Sequence, residues 1–78
     1  MRRSINDRII LFIAEKYCRD YDELKEFARE LGISESNLRT RLSQLVKRGL
    51  LERRWVYDVK TKKKVRRYCI SPRVRLLW

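Results

Sequence analysis

Residues 33–49, ISESNLRTRLSQLVKRG, carry the clearest structural pattern in the chain. Their apolar residues recur at the spacing of one face of an α-helix, at Leu38, Leu42, Leu45 and Val46. Ser34 suits the N-cap, because its hydroxyl can accept a hydrogen bond from a backbone N–H of the first turn. Gly49 suits the left-handed position just beyond a helix C-terminus. The pattern predicts one amphipathic helix over residues 34–48.

The opposite face of this predicted helix is polar. At about 100° per residue, hydroxyl, amide and ammonium groups point away from the leucines, at Ser36, Asn37, Thr40, Ser43, Gln44 and Lys47. Arg39 and Arg41 lie on the two flanks of the polar face. Side chains of these kinds contact the base edges and phosphates of nucleic-acid duplexes. A merely solvated face is the alternative, so the remainder of the chain has to discriminate between the two interpretations.

The 78-residue chain has a formal net charge of +11, and the excess lies in its second part. Residues 1–46 contain nine Lys/Arg and eight Asp/Glu, whereas residues 47–78 contain twelve and two. The first part is typical of a balanced folding module and the second of a polyanion-binding surface. Solubility alone is the alternative, but a solubilising surface usually mixes both signs. Nucleic acid is favoured over membrane lipid, because the basic segment has no amphipathic helix pattern.

Charged residues make up 40% of the chain. Glutamine occurs once and asparagine twice. This bias resembles hyperthermophile proteins, among which intracellular disulfides do occur. No apolar run approaches the roughly 20 residues of a membrane span. Arg2 and Arg3 make a basic start, but no apolar signal-peptide stretch with a small-residue cleavage site follows. We therefore expect a cytoplasmic protein with no membrane partner.

The first predicted helix spans residues 4–18. Ser4 can act as its N-cap, with Asp7 in a position like that of a capping box. One apolar stripe runs along it at Ile5, Ile9, Phe12, Ile13 and Tyr17. A second stripe consists of Ile10, Leu11 and Ala14. A helix with apolar residues on most sides is buried on more than one face. The second stripe therefore needs a partner, which the C-terminal tail or another subunit could supply.

The second predicted helix spans residues 21–31. Asp20 can act as its N-cap, with Glu23 as the capping-box partner. Gly32 ends this helix, and the helix over residues 34–48 begins almost at once. Two amphipathic helices joined by so tight a turn predict a helix-turn-helix.

After Gly49 the pattern changes to that of β-strands. Residues 50–59, LLERRWVYDV, and residues 65–71, VRRYCIS, are rich in β-branched and aromatic residues. The polar segment 60–64, KTKKK, joins them, so we predict a β-hairpin over residues 51–71. Cations on the hairpin are candidate phosphate contacts, at Arg54, Lys60, Lys62, Lys63, Lys64, Arg66 and Arg67. A solvated loop is the alternative for the lysine-rich tip.

Alternation along the hairpin divides its side chains between two faces. Those predicted to face the core are Leu51, Trp55, Tyr68 and Ile70. Those predicted to face outward are Arg67 and Cys69. Residues 72–78 form a C-terminal tail that is too short to classify. Its apolar end is expected to be covered, at Leu76, Leu77 and Trp78.

The order of helix, helix, tight turn, helix and basic hairpin resembles the winged helix-turn-helix family of transcription regulators, in its compact archaeal or archaeal-virus form. The matching segment is residues 24–51, LKEFARELGISESNLRTRLSQLVKRGLL. Residues 66–71, RRYCIS, are similar to the returning strand of the family's wing. The resemblance covers roughly residues 5–71. It implies an α+β fold of three helices followed by a two-stranded wing, with a short third strand after the first helix.

The resemblance also implies roles for individual segments. In that family the third helix enters the major groove, and the wing follows the DNA backbone or the minor groove. These roles fall on residues 34–47, including Ser34, and on residues 60–67. The family's short strand after the first helix pairs with the returning wing strand, which implies that Cys18 and Cys69 lie close together. A disulfide between them requires Cα atoms within about 7 Å.

The chain lacks the residues that most catalytic and metal sites need. It contains no histidine, so Ser and Cys nucleophiles have no imidazole base. Two cysteines without histidine or a carboxylate cluster do not form the usual zinc sites, and no Gly-rich phosphate loop is present. We expect no enzyme activity, catalytic residue, metal, cofactor or small-molecule substrate.

The leading hypothesis is one domain over residues 1–78 that binds double-stranded DNA and regulates transcription. An architectural protein that coats DNA through phosphates is a second hypothesis, and a winged-helix protein-interaction module is a third. We also expect a homodimer through the first helix and the tail, although the tail could instead fold over its own first helix. Nucleoid association follows from the DNA-binding hypothesis.

Overall fold

The computed structural model describes residues 4–72, so the predictions for the apolar end of the tail lie outside the described residues. The elements are α1 (Ile5–Ala14), β1 (Cys18–Asp20), α2 (Tyr21–Leu31), α3 (Glu35–Lys47), β2 (Leu51–Asp58) and β3 (Lys63–Ile70). Three helices are thus followed by an antiparallel hairpin, and a short strand follows the first helix. The predicted α+β fold class is confirmed, and the arrangement is compatible with a winged helix.

Local hydrogen bonds set the starts of α1 and α3 and the ends of α2 and α3 where the sequence predicts them. The hydroxyls of Ser4 and Ser34 each accept a 3.1 Å bond from the backbone N–H three residues later. Gly32 and Gly49 both adopt a left-handed φ of 76°, which costs glycine little. The residue after each glycine donates its N–H back into the last helical turn, at 3.0 Å in both cases.

The first helix is shorter than predicted, because it ends at Ala14 and not at residue 18. The last turn tightens as the N–H of Tyr17 bonds to the Ala14 carbonyl at 3.3 Å. Tyr17 then takes a left-handed φ of 69°, and its carbonyl accepts a 2.8 Å bond from the N–H of Ile70. Pairing with β3 therefore competes successfully with continuation of the helix.

Asp20 lies at the N-cap of α2, but its carboxylate does not cap the helix. One oxygen lies 3.2 Å from Nε of Arg67, an ion pair that only the folded sheet brings together. Glu23 keeps its half of the predicted capping box. A hydrogen bond from Arg19 lowers the pKa of Glu23 below its ordinary value of 4.5, and the backbone N–H of Asp20 lowers it further.

The three strands form one antiparallel sheet in the order β1–β3–β2. Leu51 lies across from Ile70 at the base of the hairpin, and Asp58 lies across from Lys63 near its tip. The helices cover one face of the sheet at its base, and the buried core contains Ile9, Ile10, Ile13, Leu24, Ala28, Leu38, Leu42, Leu45, Leu51, Tyr68 and Ile70. The leucines of α3 and the predicted inward positions Leu51, Tyr68 and Ile70 are thereby confirmed as core residues.

Trp55 was predicted to face the core, and the expectation that its side chain is buried is wrong. It shares the face of Leu51 by strand parity, but it is 59% exposed, whereas Leu51 is 2% exposed. Only the base of β2 is covered by the helices, so alternation alone misjudges its distal half. Cys69 is the opposite case, because it lies on the outer face yet is only 4% exposed.

The burial of Cys69 follows from a disulfide to Cys18, its direct partner across β1 and β3. The two Cα atoms are 4.0 Å apart, and the bridge joins positions separated by 51 residues. The predicted proximity of the two cysteines is confirmed. The bond links the start of the sheet, just after α1, to the end of the hairpin.

A buried guanidinium joins α1, β1 and α2. Arg19 is 7% exposed, and its Nε donates to the carbonyl of Phe12 at 2.9 Å. Its Nη1 and Nη2 donate to Glu23 at 2.9 Å and to Glu15 at 3.0 Å. The cation also lies 3.9 Å above the ring of Phe12, which stacks on Phe27 with 4.1 Å between centroids. These bonds satisfy a charge that would otherwise be costly to bury.

Candidate nucleic-acid interface

The polar face of α3 is exposed because the opposite, leucine-bearing face is buried in the core. Leu38, Leu42 and Leu45 are at most 1% exposed, which holds the helix in one rotation about its axis. Five predicted site residues are exposed and line one shallow surface groove, namely Arg39, Thr40, Ser43, Gln44 and Lys47. Donors, acceptors and cations therefore lie together on a rigid element, as base and phosphate contacts require.

Two hydroxyls on α3 are already engaged with the backbone. Ser34 accepts the capping bond from the N–H of Asn37. Thr40 donates from Oγ1 to the carbonyl of Ser36 at 3.1 Å. Ser34 therefore sets the start of the helix, and Thr40 keeps only acceptor capacity for a bound ligand.

Arg41 is turned toward α1. Its Nε donates to Oδ1 of Asn37 at 2.7 Å, and its Nη1 donates to Oδ1 of Asn6 at 2.9 Å. The guanidinium is half-buried between the two helices. Arg41 and Asn37 are therefore partly committed to positioning α3, so Arg39 and Gln44 become the first candidates for base contacts.

The tip of the hairpin is ordered by Asp58. Its carboxylate accepts a 2.9 Å bond from the N–H of Lys60, and its carbonyl accepts a 2.7 Å bond from the N–H of Lys62. Lys62 takes a left-handed φ of 57° to close the loop. The predicted tip lysines are all exposed, at Lys60, Lys62, Lys63 and Lys64. We call these four lysines the cationic tip. Residues 59–64 contain no acidic residue.

The three predicted arginines of the hairpin each contact a neighbouring side chain. Arg54 pairs with Glu52 at 2.8 Å, which offsets part of its charge. Arg67 pairs with Asp20. Arg66 is half-buried, with its guanidinium carbon 5.4 Å from the ring of Tyr21. The structure therefore groups the residues of the α3 face and, separately, those of the cationic tip, whereas Arg54 and Arg67 are paired with acidic side chains.

Two exposed aromatics on β2, Trp55 and Tyr57, were not among the predicted site residues. They are 59% and 58% exposed. The signal that could have found them is the placement of aromatic residues beside a lysine-rich tip, a combination typical of nucleic-acid surfaces. Trp55 also lines a groove between the hairpin and the N-terminal ends of α2 and α3.

Acidic and aromatic groups meet in that groove. The phenol of Tyr21 donates to Oε1 of Glu35 at 3.0 Å, and Nζ of Lys25 lies 3.8 Å from the same oxygen. Partial burial, followed by the hydrogen bond to Glu35, raises the pKa of Tyr21 above its ordinary value of 10.0. The Tyr21 hydroxyl thus remains a donor that joins α2 to α3.

Within residues 4–72, no helix is both long and apolar enough to cross a bilayer.

Comparison with known proteins places this fold among archaeal plasmid regulators. A solved structure, Stf76 from the Sulfolobus islandicus plasmid-virus pSSVx, is 27% identical and superposes with a TM-score of 0.76. The match covers 96% of this chain and 91% of Stf76. No curated protein sequence is significantly similar to the chain. Residues 1–77 match the Sulfolobus plasmid regulatory protein family. The chain therefore belongs to that family, so the predictions of a regulator and of an archaeal origin are confirmed.

Proposed function

We propose that this regulator binds double-stranded DNA as a winged helix-turn-helix protein. Helix α3 enters the major groove, where Arg39 and Gln44 read base edges. The cationic tip contacts phosphates of the flanking backbone. The role is regulation of transcription, exerted on DNA in the cytoplasm.

The observation that carries this proposal is the contiguous exposed face of α3. Its side chains project from a helix whose other side is fixed in the core, so they are held ready for a ligand. The concentrated positive charge of residues 47–78 supplies the electrostatic attraction that a duplex requires. Membership of a plasmid regulatory family supports the role, because a regulator of a plasmid acts most directly on its DNA.

The test of this proposal compares specific with random duplex. We expect Arg39→Ala and Gln44→Ala each to reduce the preference for DNA from upstream of the protein's own gene by about 1–3 kcal/mol, because each removes a bidentate bond to a base. Affinity for random duplex should change less. Fluorescence anisotropy with both duplexes, across a range of salt concentrations, measures the two affinities.

Arg29→Ala is the matched control, since it removes an exposed cation from α2 and leaves the face of α3 intact. It should leave the ratio of specific to random affinity unchanged. If wild-type protein binds every duplex equally, base readout is excluded and the architectural role replaces the regulator of specific genes. If it binds no duplex, the protein-interaction role remains.

A homodimer is a further prediction, and the fold reduces the surface of α1 that could form its interface. Ile10 is 4% exposed within its own core, so the free part of the second stripe is reduced to Leu11 and Ala14. A twofold dimer through α1 would present two α3 helices to half-sites about one helical turn apart, roughly 34–36 Å. Sedimentation equilibrium should then give twice the monomer mass, and Leu11→Glu should give the monomer. A wild-type monomer at high micromolar concentration would favour the tail folded over its own α1.

A further inference from the structure

The distal half of β2 exposes two large aromatic side chains on one face. Trp55 and Tyr57 are two residues apart, and side chains at that spacing in a strand point the same way. More than half of each side chain is accessible. Single exposed apolar residues are ordinary, but an adjacent pair of aromatics forms a contiguous patch that marks a contact surface.

Cations border this aromatic pair on the neighbouring strand. Arg66 lies directly across from Trp55, and Lys64 lies directly across from Tyr57. The guanidinium carbon of Arg66 is 5.2 Å from the ring centroid of Trp55 and 5.4 Å from that of Tyr21. We call the surface formed by Trp55, Tyr57, Lys64 and Arg66 the aromatic face. It continues into the cationic tip of the hairpin.

We propose that the aromatic face binds single-stranded nucleic acid. Unpaired bases stack on Trp55 and Tyr57, while Lys64 and the cationic tip hold the phosphates. Aromatic side chains beside a positively charged track are the combination by which proteins hold single strands without sequence preference. This activity differs from the duplex binding proposed for α3, because its base contacts come from β2 instead of α3 and involve unpaired bases, although both activities use the cationic tip for phosphate contacts.

The spacing of the two rings favours a single strand over a duplex. Two residues of an antiparallel strand advance by about 6.8 Å. Successive bases in one strand of a duplex are only about 3.4 Å apart. Neighbouring bases that stack on Trp55 and Tyr57 therefore cannot also stack on each other. Bases in an intact duplex have both faces covered by neighbours, and exposing one requires unstacking.

The surroundings of Trp55 prepare it for this contact. Arg66 is held between two rings, those of Tyr21 and Trp55, and it restricts the position of the indole. A side chain that is ordered before binding loses less conformational entropy when a base stacks on it. The guanidinium also adds a positive charge beside the stacked base, where the next phosphate of the strand would lie.

Fluorescence anisotropy with a labelled oligothymidine tests the proposal. Trp55→Ala and Tyr57→Ala should each weaken binding of the oligothymidine about tenfold, because each removes one stacking platform. Trp55→Phe should retain most of the affinity, since it keeps an aromatic ring. Val56→Ala, on the opposite face of the same strand, is the matched control and should have no effect. Gln44→Ala, on the exposed face of α3 and outside the groove that Trp55 lines, should also leave this affinity unchanged, so failure of duplex recognition would not be mistaken for failure here.

Tryptophan fluorescence tests the contact in protein that keeps Trp55 and Tyr57, so the result does not depend on how their replacement affects folding. The chain has two tryptophans, so Trp78→Phe leaves Trp55 as the remaining emitter. Saturation with oligothymidine should quench its fluorescence. Unquenched emission at saturation, or equal oligothymidine affinity of wild type and the Trp55→Ala/Tyr57→Ala variant, would overturn the proposal. The proposal would also be overturned if the Trp55→Ala/Tyr57→Ala variant lost self-association in sedimentation but kept its oligothymidine affinity. The aromatic face would then join two copies of the chain.

Discussion

Replacement of both Cys18 and Cys69 by alanine is expected to lower the free energy of unfolding by about 4 kcal/mol, because the bridge closes a loop of 51 residues. The bridge restricts the unfolded chain, and a longer loop loses more entropy. The folded protein should keep its secondary structure, since neither cysteine belongs to the cluster of packed core side chains, although Cys69 is itself buried. Urea unfolding followed by circular dichroism measures the difference.

Reduced wild-type protein is the matched control for this prediction. It has the same side chains as the oxidised protein and lacks only the bond, so the two should differ by nearly the same free energy. The alanine variant and the reduced protein should therefore unfold at similar urea concentrations. Oxidised and reduced proteins of equal stability would show that the bridge does not restrict the unfolded chain as expected.

Replacement of Lys62, Lys63 and Lys64 by alanine is expected to weaken binding to any duplex about 100-fold near 0.1 M salt. Phosphate contacts attract every sequence alike, so the preference for specific over random DNA should persist. The log–log slope of affinity against salt should become shallower by about 0.9 for each phosphate that the variant no longer neutralises. Anisotropy titrations at several salt concentrations give both quantities.

A variant with the same change in net charge provides the control. Arg8, Lys16 and Arg29 are exposed cations on α1, in the connector after it, and on α2. Their joint replacement by alanine should lower affinity far less and leave the salt slope nearly unchanged, because they lie outside the proposed interface. If both triple variants bind equally weakly, long-range charge alone explains binding and the wing does not touch the DNA backbone.

The disulfide and the wing are coupled through β3. This strand carries Cys69 near its base and Lys64 near its tip, and it pairs with both β1 and β2. The bridge thus anchors the strand from which the proposed phosphate contacts project. The covalent bond therefore stabilises the base of a hairpin whose distal half is largely exposed.

Residues that interact with near neighbours made much of this fold predictable. Ser34 bonds to a backbone N–H three residues away, and Gly32 and Gly49 satisfy the helix ends through their own conformation. The leucines of α3 share one stripe because of helical geometry alone. These features predicted the helices, the tight turn and the outward polar face of α3. Strand alternation likewise predicted which face of the hairpin Tyr68 occupies.

Features decided by distant partners could not be read from the sequence. The helical pattern placed Arg41 on a flank of the polar face, as a candidate contact to nucleic acid, but Asn6, 35 residues earlier, accepts its hydrogen bond. The position of Asp20 suggested a cap, but the sheet offers its carboxylate the guanidinium of Arg67. In both cases a charged group is bonded to a partner that only folding brings near.

The amino-acid sequence determined where the three helices begin, where α2 and α3 end, which faces are apolar, and that positive charge accumulates toward the hairpin, because these depend on neighbours within a few residues. Only the tertiary structure decided how far the helices reach along the sheet. That reach leaves Trp55 exposed on a face whose base is core. Contacts between elements also bury Arg19 over the ring of Phe12, where Nε, Nη1 and Nη2 each donate a hydrogen bond. Burial depends on what covers a residue, and the covering elements are distant in the chain.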